Sequence, residues 1–224
     1  MAGLKHLGII ADGNRRWARS QGLPSIEGHK RGLSAIKKLV EGASKTDIEY
    51  ITFYVFSTEN WGRSVEEVSY IMKLAETRIL KYAEELAENN AKLVILGSKN
   101  KISPKLISIL EKAEKLTEKC NGITVALCFN YGGEVEIADA ATIASEVEGE
   151  ITPHTIRKHL YHPEIPDLDM VVRTSGEQRI SGFMLWRASY AEFMFMKKYF
   201  PEMSGEDIEV ILKEYEKRNR RFGK

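Results

Sequence analysis

HLGIIADGNRRWARSQG, residues 6 to 22, decides the fold. Its first six residues form an apolar run of strand length, rich in aliphatic and β-branched side chains, which suits a strand buried on both faces. The run stops at Asp12, Gly13 and Asn14, and Arg15, Arg16, Trp17 and Arg19 follow. A strand therefore hands over to a turn and then to a helix start crowded with guanidinium groups. An acid among so many bases is either a solvated N-cap or half of a site where a cation is shared with an anionic ligand.

Working outward, similar runs recur at 51–57 (ITFYVFS), 91–97 (AKLVILG), 123–130 (ITVALCFN) and 168–174 (LDMVVRT), with AEFMFM at 191–196 as a sixth strand. Helical spacing of apolar residues fills the gaps: 28–46, 64–90, Ser103 to about Lys119, Gly133 to about Glu146, and 204–219. Such alternation predicts an α/β fold with a mostly parallel six-stranded sheet flanked by helices. Residues 1–224 read as a single domain, with Pro153–Pro166 a local excursion and no internal repeat.

Charge is balanced, 33 basic against 32 acidic residues, so no global field favours nucleic acid or an anionic membrane. Any anion binding must be local. Cys120 and Cys128 match no metal-ligand spacing and read as reduced thiols, and neither a secretory leader nor a membrane span is legible, so a cytoplasmic protein is expected.

In an open parallel sheet, ligands gather beyond the carboxyl ends of the strands. Those ends carry Asp12 to Trp17; Ser57, Glu59, Asn60, Trp61 and Arg63; Asn130 to Gly133; and RTSGEQRIS, residues 173–181. Gly13 allows close backbone approach, the helix start offers unpaired N–H groups, and arginines fork onto phosphate oxygens. A carboxylate aimed at a phosphate repels it unless a hard cation intervenes; Mg²⁺ bound by Asp12 and substrate oxygens fits, with Glu192 or Glu59 as second ligand. His29 is either a polar helix residue or a phosphate and proton contact. His6, His154, His159 and His162 show no ligand pattern, and the nucleotide-binding glycine motifs and GxSxG are absent.

HLGIIADGNRRWAR, GHKRG, ITFYVFSTENWGRSVEEV, NYGG and DMVVRTSGEQRISGFMLWRASYAEFMF together resemble the cis-prenyltransferase family, the undecaprenyl diphosphate synthase-like enzymes, over nearly the whole chain. The resemblance implies Mg²⁺-dependent condensation of isopentenyl diphosphate with an allylic diphosphate, farnesyl or geranylgeranyl, giving a cis-polyprenyl diphosphate that serves as a lipid carrier precursor. It places Asp12 on Mg²⁺ at the allylic diphosphate, with Gly13, Asn14, Arg15, Arg16, Trp17 and Arg19 nearby. His29, Ser57, Glu59, Asn60, Trp61 and Arg63 line the reacting region, and Arg173, Arg179 and Ser181 bind isopentenyl diphosphate. Glu192 becomes the second metal-linked acid, reaching across a homodimer interface. Arg221, Phe222 and Gly223 match the family's C-terminal RxG element.

Asp12, Asn60 and His29 are the expected catalytic residues, and the proton acceptor stays open among them and the diphosphate. An apolar tunnel between sheet and helices is expected, lined by Val68, Met72, Ala75, Ile79, Tyr82 and Leu86 with Phe53 and Val55. The product is expected to partition to membrane. Departures from the family pattern fall at Arg15, Ser25, Glu134 and Gln178, moving charge around the pocket. They keep two alternatives in view: a non-catalytic partner subunit, and the same fold acting on an unusual acceptor.

Overall fold

A computed structural model describes residues 3–218. Six strands, β1 (His6–Ile10), β2 (Tyr50–Ser57), β3 (Lys92–Leu96), β4 (Thr124–Tyr131), β5 (Met170–Arg173) and β6 (Glu192–Phe195), form one sheet in the order β3-β4-β2-β1-β5-β6. Every pairing is parallel. Because the central strands are covered on both faces, their side chains alternate between two cores. Leu7, Ile9, Phe53 and Val125 point to one; Ile10, Tyr54, Ala126 and Cys128 point to the other, where Phe183 and Met184 cover them. Burial pushes the Cys128 thiol well up, and both cysteines are free.

The helices are α1 (Asn14–Ser20), α2 (Ser25–Ala43), α3 (Val65–Glu88), α4 (Pro104–Thr117), α5 (Gly133–Glu148), α6 (Pro153–His159) and α7 (Glu206–Glu216). Leu39 of α2, Ile79 of α3 and Ile211 of α7 join the first core. Local chemistry sets several ends: Ser64 and Ser103 accept N–H groups at the starts of α3 and α4. One expectation needs correction. The helix expected from residue 28 begins at Ser25, because extended Pro24 ends the preceding turn and Ser25 can already be helical. The 153–166 excursion contains α6, nucleated by the reciprocal Thr152–Thr155 cap with Pro153 at the first helical position.

Close approach of α1 and α2 depends most on Gly28: a Cβ there would lie 2.0 Å from the Asn14 carbonyl oxygen. Beneath the sheet, Arg187 and Glu136 form a fully buried ion pair at 2.7 Å, further tied by the Tyr131 hydroxyl and the Tyr161 carbonyl. This pair pins the segment after β5 to α5.

The chain leaves β1 for β2 on one side, while β5 returns on the other, so the strand order switches between β1 and β5. Connections diverge at such a point and leave a crevice beyond the strand ends. Register puts Ile10 opposite Arg173, the last residues of their strands.

His6 is wholly buried, with Nδ1 2.9 Å from the Pro166 carbonyl and Nε2 2.7 Å from Thr52 Oγ1. A carbonyl only accepts, so Nδ1 carries the proton and the Thr52 hydroxyl donates to Nε2. Burial pushes this imidazole down to about 4 from 6.5. The unfolded chain then binds a proton that the folded one refuses, so His6's contribution is complete above 6.5 and is lost as pH falls toward 4. Denaturant titrations across that window are expected to lose about 3 kcal/mol of stability from this group, and His6→Gln to flatten the slope.

Candidate active site

The crevice between β1 and β5 is closed by side chains from both loops. Gly13 caps α1 with φ 100°, and a Cβ there would meet the Tyr199 ring at 2.7 Å and Ser175 at 3.0 Å. The Thr174 hydroxyl accepts from the Asp12 N–H at 3.0 Å and donates to the Asp12 carbonyl at 2.7 Å, locking the two strand ends together. Past Thr174 the backbone is contorted: Ser175, Ser181 and Met184 all adopt positive φ, a conformation that concentrates at sites where local geometry matters more than comfort.

Asp12 sits between two guanidinium groups. Arg173 Nη2 donates to its Oδ2 at 2.9 Å, and Arg16 Nη2 approaches its Oδ1 at 3.1 Å. Burial pushes the Asp12 carboxyl up, but the hydrogen bonds from Arg173 and Arg16 outweigh it and hold the group below the ordinary carboxylate range. The buried Arg173 also donates through Nη1 to the Arg179 carbonyl at 2.6 Å and to Ser181 Oγ at 2.9 Å. Arg16 and Arg179 are in turn joined by Glu177, at 2.8 and 2.6 Å, and Arg179 chiefly holds that carboxyl low.

A second polar group surrounds Glu67 in the first turn of α3. Arg15 reaches it at 3.1 Å and Arg63 at 2.9 Å. His29 Nε2 lies 3.4 Å away, within ion-pair range yet without hydrogen-bond geometry. Burial lowers the His29 imidazole more than Glu67 raises it, so it is neutral at neutral pH. Between this group and the sheet, α2 and α3 enclose a cavity of about 360 Å³ that starts at Asn14 and His29. At its far end Lys37 pairs with Glu85 and lies 6.0 Å from the Tyr82 ring centre. Asn14 Oδ1, His29 Nε2, Tyr82 Oη, Arg173 Nε and Ser175 Oγ are buried without a hydrogen-bond partner. Clustering of orphaned polar atoms along one crevice and its cavity marks a place built for a ligand.

The fold thus gathers Asp12, Gly13, Arg16, Arg173, Arg179 and Ser181 in one group and Arg15, His29 and Arg63 in another. Asn60 spends its Oδ1 on the Ser57 N–H, and Trp61 donates to Asn130 at 2.7 Å. Trp17 is half-buried on α1, Arg19 is exposed on its last turn, and Glu59 is exposed beside Thr58. Glu192 is not brought to Asp12 within the chain. It shares a row with Met170 and Leu7, so Asp12 lies five residues further along, roughly 16 Å in the strand direction. Arg221 and Gly223 fall outside the described residues.

The expected lining of the cavity shifts around α3. Ala75, Ile79, Tyr82 and Val55 face it, joined by Ile71, Leu74 and Arg78. Val68 and Met72 pack instead against Phe56 and Leu106, and Leu86 and Phe53 belong to the main core. Thr174 and Glu177 stand in the RTSGEQRIS run without an expected role of their own, and sequence reasoning did not single out Glu67. Glu67 stands three residues after Ser64, a capping spacing that locates a helix start but says nothing of its two arginine partners or of His29.

Comparison with known proteins agrees with this geometry. A family model described as "Putative undecaprenyl diphosphate synthase" matches residues 10–223. An isoprenyl transferase of Neisseria meningitidis serogroup B is 41% identical over 221 residues, 98% of this chain and 89% of that protein. A trans,polycis-polyprenyl diphosphate synthase, (2Z,6E)-farnesyl diphosphate specific, of Thermobifida fusca is 40% identical over 226 residues, 98% and 80% of the two chains. Among solved structures, lavandulyl diphosphate synthase from Lavandula x intermedia in complex with dimethylallyl diphosphate superposes with a TM-score of 0.93 at 32% identity, covering 99% and 98% of the chains. A probable undecaprenyl diphosphate synthase from Campylobacter jejuni gives 0.86 at 30% identity over 100% of both. The chain belongs to the undecaprenyl diphosphate synthase family of prenyltransferases. As an enzyme it is a prenyltransferase of the polyprenyl diphosphate synthase kind.

Removing Arg173 takes away the strongest single hydrogen bond that lowers the Asp12 carboxyl. In Arg173→Ala, carboxyl-carbon NMR titration is expected to find the Asp12 pKa displaced upward from its wild-type position; an unchanged value would mean that Arg16 alone sets it.

Proposed function

We propose that this chain is a Mg²⁺-dependent cis-polyprenyl diphosphate synthase, condensing isopentenyl diphosphate with farnesyl or geranylgeranyl diphosphate as a homodimer of single-domain subunits spanning residues 1–224. One observation carries the reading: Asp12 and three arginines converge at a strand-order switch, and an apolar cavity opens beside them at Asn14 and His29. That pairing of anion-binding groups with a greasy recess suits a substrate that is diphosphate at one end and hydrocarbon at the other.

Arg16, with Gly13 and Asn14, would bind the allylic diphosphate, and Arg173, Arg179 and Ser181 the isopentenyl one. The allylic carbon–oxygen bond breaks and releases pyrophosphate, a new carbon–carbon bond forms to the isopentenyl double bond, and a proton leaves to restore a double bond. Charge grows on the departing diphosphate, where guanidinium groups already in place stabilise it without reorganising. Holding both substrates beside one cavity mouth supplies the orientation. Asp12 is held too low to be a good proton acceptor and Asn60 is engaged as a cap, which leaves neutral His29 and the diphosphate as the better candidates.

Mg²⁺ fits this donor set. Asp12 is ionised, and among the described residues no group of three or more His, Cys, Asp or Glu forms an all-protein cage. A single carboxylate completed by substrate phosphates is how this hard ion is usually held. When bound it would neutralise diphosphate charge as the bond breaks. Glu192, remote from Asp12 in its own chain, would join such a site only from the partner subunit. The growing chain would occupy the cavity between α2 and α3. Among the described residues no helix is long and apolar enough to cross a membrane; the enzyme would act from the cytoplasm and its product would pass to the membrane.

A second reading, the same fold joining chains to an unusual acceptor, is supported by the likeness to lavandulyl diphosphate synthase and by exposed Ser25 and Gln178. Mass spectrometry of products separates the two. Purified protein with Mg²⁺, isopentenyl diphosphate and either allylic diphosphate is expected to yield products longer by successive five-carbon units, and chelation of the metal to stop it. Asp12→Ala is expected to cost about 10²–10³-fold in kcat with the fold intact by circular dichroism. Absence of any extended product from the wild type would overturn the reading.

A further inference from the structure

One carboxylate links the arginines assigned to the two diphosphates and has no part in the chemistry above. Glu177 Oε1 accepts from Arg16 Nη1 at 2.8 Å, and its Oε2 accepts from Arg179 Nη1 at 2.6 Å. Arg16 belongs to α1 and Arg179 to the segment after β5, so a single side chain spans the crevice from the allylic to the isopentenyl side. Asp12, the other acid in the crevice, is committed to Arg16 and Arg173. The Glu177 and Arg179 side chains are 30% and 59% exposed, which lets a soluble anion exchange with either contact.

We propose that Glu177 is an internal rival anion that couples the two diphosphate subsites. The inference rests on the function proposed above. A diphosphate arriving at Arg16 takes over the place of Oε1. Freed there, Glu177 turns both oxygens to Arg179, and a two-point fork on one guanidinium is a stronger competitor than a single contact. The isopentenyl diphosphate then binds less tightly, and by thermodynamic reciprocity it weakens the allylic one by the same factor. During elongation the product's diphosphate must move from the Arg179 side to the Arg16 side before the next cycle. A carboxylate able to follow whichever arginine is vacated keeps neither guanidinium bare and helps the diphosphate let go. Glu177 is on this account a positioning residue acting through Arg16 and Arg179.

Calorimetric titration with isopentenyl diphosphate, alone and with a saturating unreactive allylic S-thiolodiphosphate, tests this in wild type and Glu177→Gln with Mg²⁺ present. In wild type the thiolo ligand is expected to weaken isopentenyl diphosphate binding about 5-fold, the low end of site-to-site couplings. In Glu177→Gln, isopentenyl diphosphate alone is expected to bind more tightly than in wild type, with most of the coupling gone. A coupling factor unchanged in the variant, its absence from wild type, or weaker binding of isopentenyl diphosphate alone in the variant would each overturn the proposal. Failure of wild type to bind either diphosphate would instead overturn the proposed function.

Discussion

A buried guanidinium and a carboxylate, delivered by different strands, meet across the gap where the strand order reverses, and the rest of the molecule is arranged around that meeting. Arg173 is almost without solvent contact, so its charge must be matched by acceptors inside the protein. Parallel pairing of β1 with β5 supplies them by register alone: Ile10 stands opposite Arg173, and Asp12 follows two residues later. Thr174 fastens the two chain ends by a pair of hydrogen bonds, leaving little freedom for either charge to drift.

The same constraint explains why so much unusual backbone collects beside β5. A short strand that ends on a buried arginine must turn back at once to present a carbonyl and a serine hydroxyl to it, and Ser175, Gly176, Ser181 and Gly182 do so at positive φ. Such a turn needs anchoring elsewhere. The Arg187–Glu136 pair supplies it further along the same segment, where both groups are satisfied by one another and by neighbouring carbonyl and phenol groups.

The strands were legible because each is a continuous apolar run with polar residues at its carboxyl end, and the convergence of Asp12, Arg173, Arg179 and Ser181 followed from placing those ends side by side. What escaped depends on docking. Periodicity marks an apolar stripe on α3, but whether Met72 or Ile71 faces the cavity depends on how the helix is rotated against the sheet. Glu67 finds partners from α1, α2 and the segment before α3, a convergence no linear spacing encodes. Glu192 was expected to join Asp12 at the metal from across a homodimer interface; within one chain register separates them, since one stands at the start of its strand and the other past the end of its own.

The two side-chain contacts linking α2 to α3, His29 with Glu67 and Lys37 with Glu85, are unequally spaced along their helices. From His29 to Lys37, α2 advances eight residues, roughly 12 Å; from Glu67 to Glu85, α3 advances eighteen, roughly 27 Å. Helices fastened at such unequal intervals do not pack closely along their whole length, and the wedge of space left between them is the cavity. Capacity is therefore a matter of helix arithmetic, decided well away from the charged crevice. A turn added to or removed from α3 between its fastenings would resize the wedge while Asp12 and Arg173 stayed where they are, so capacity and reactivity can evolve on separate schedules.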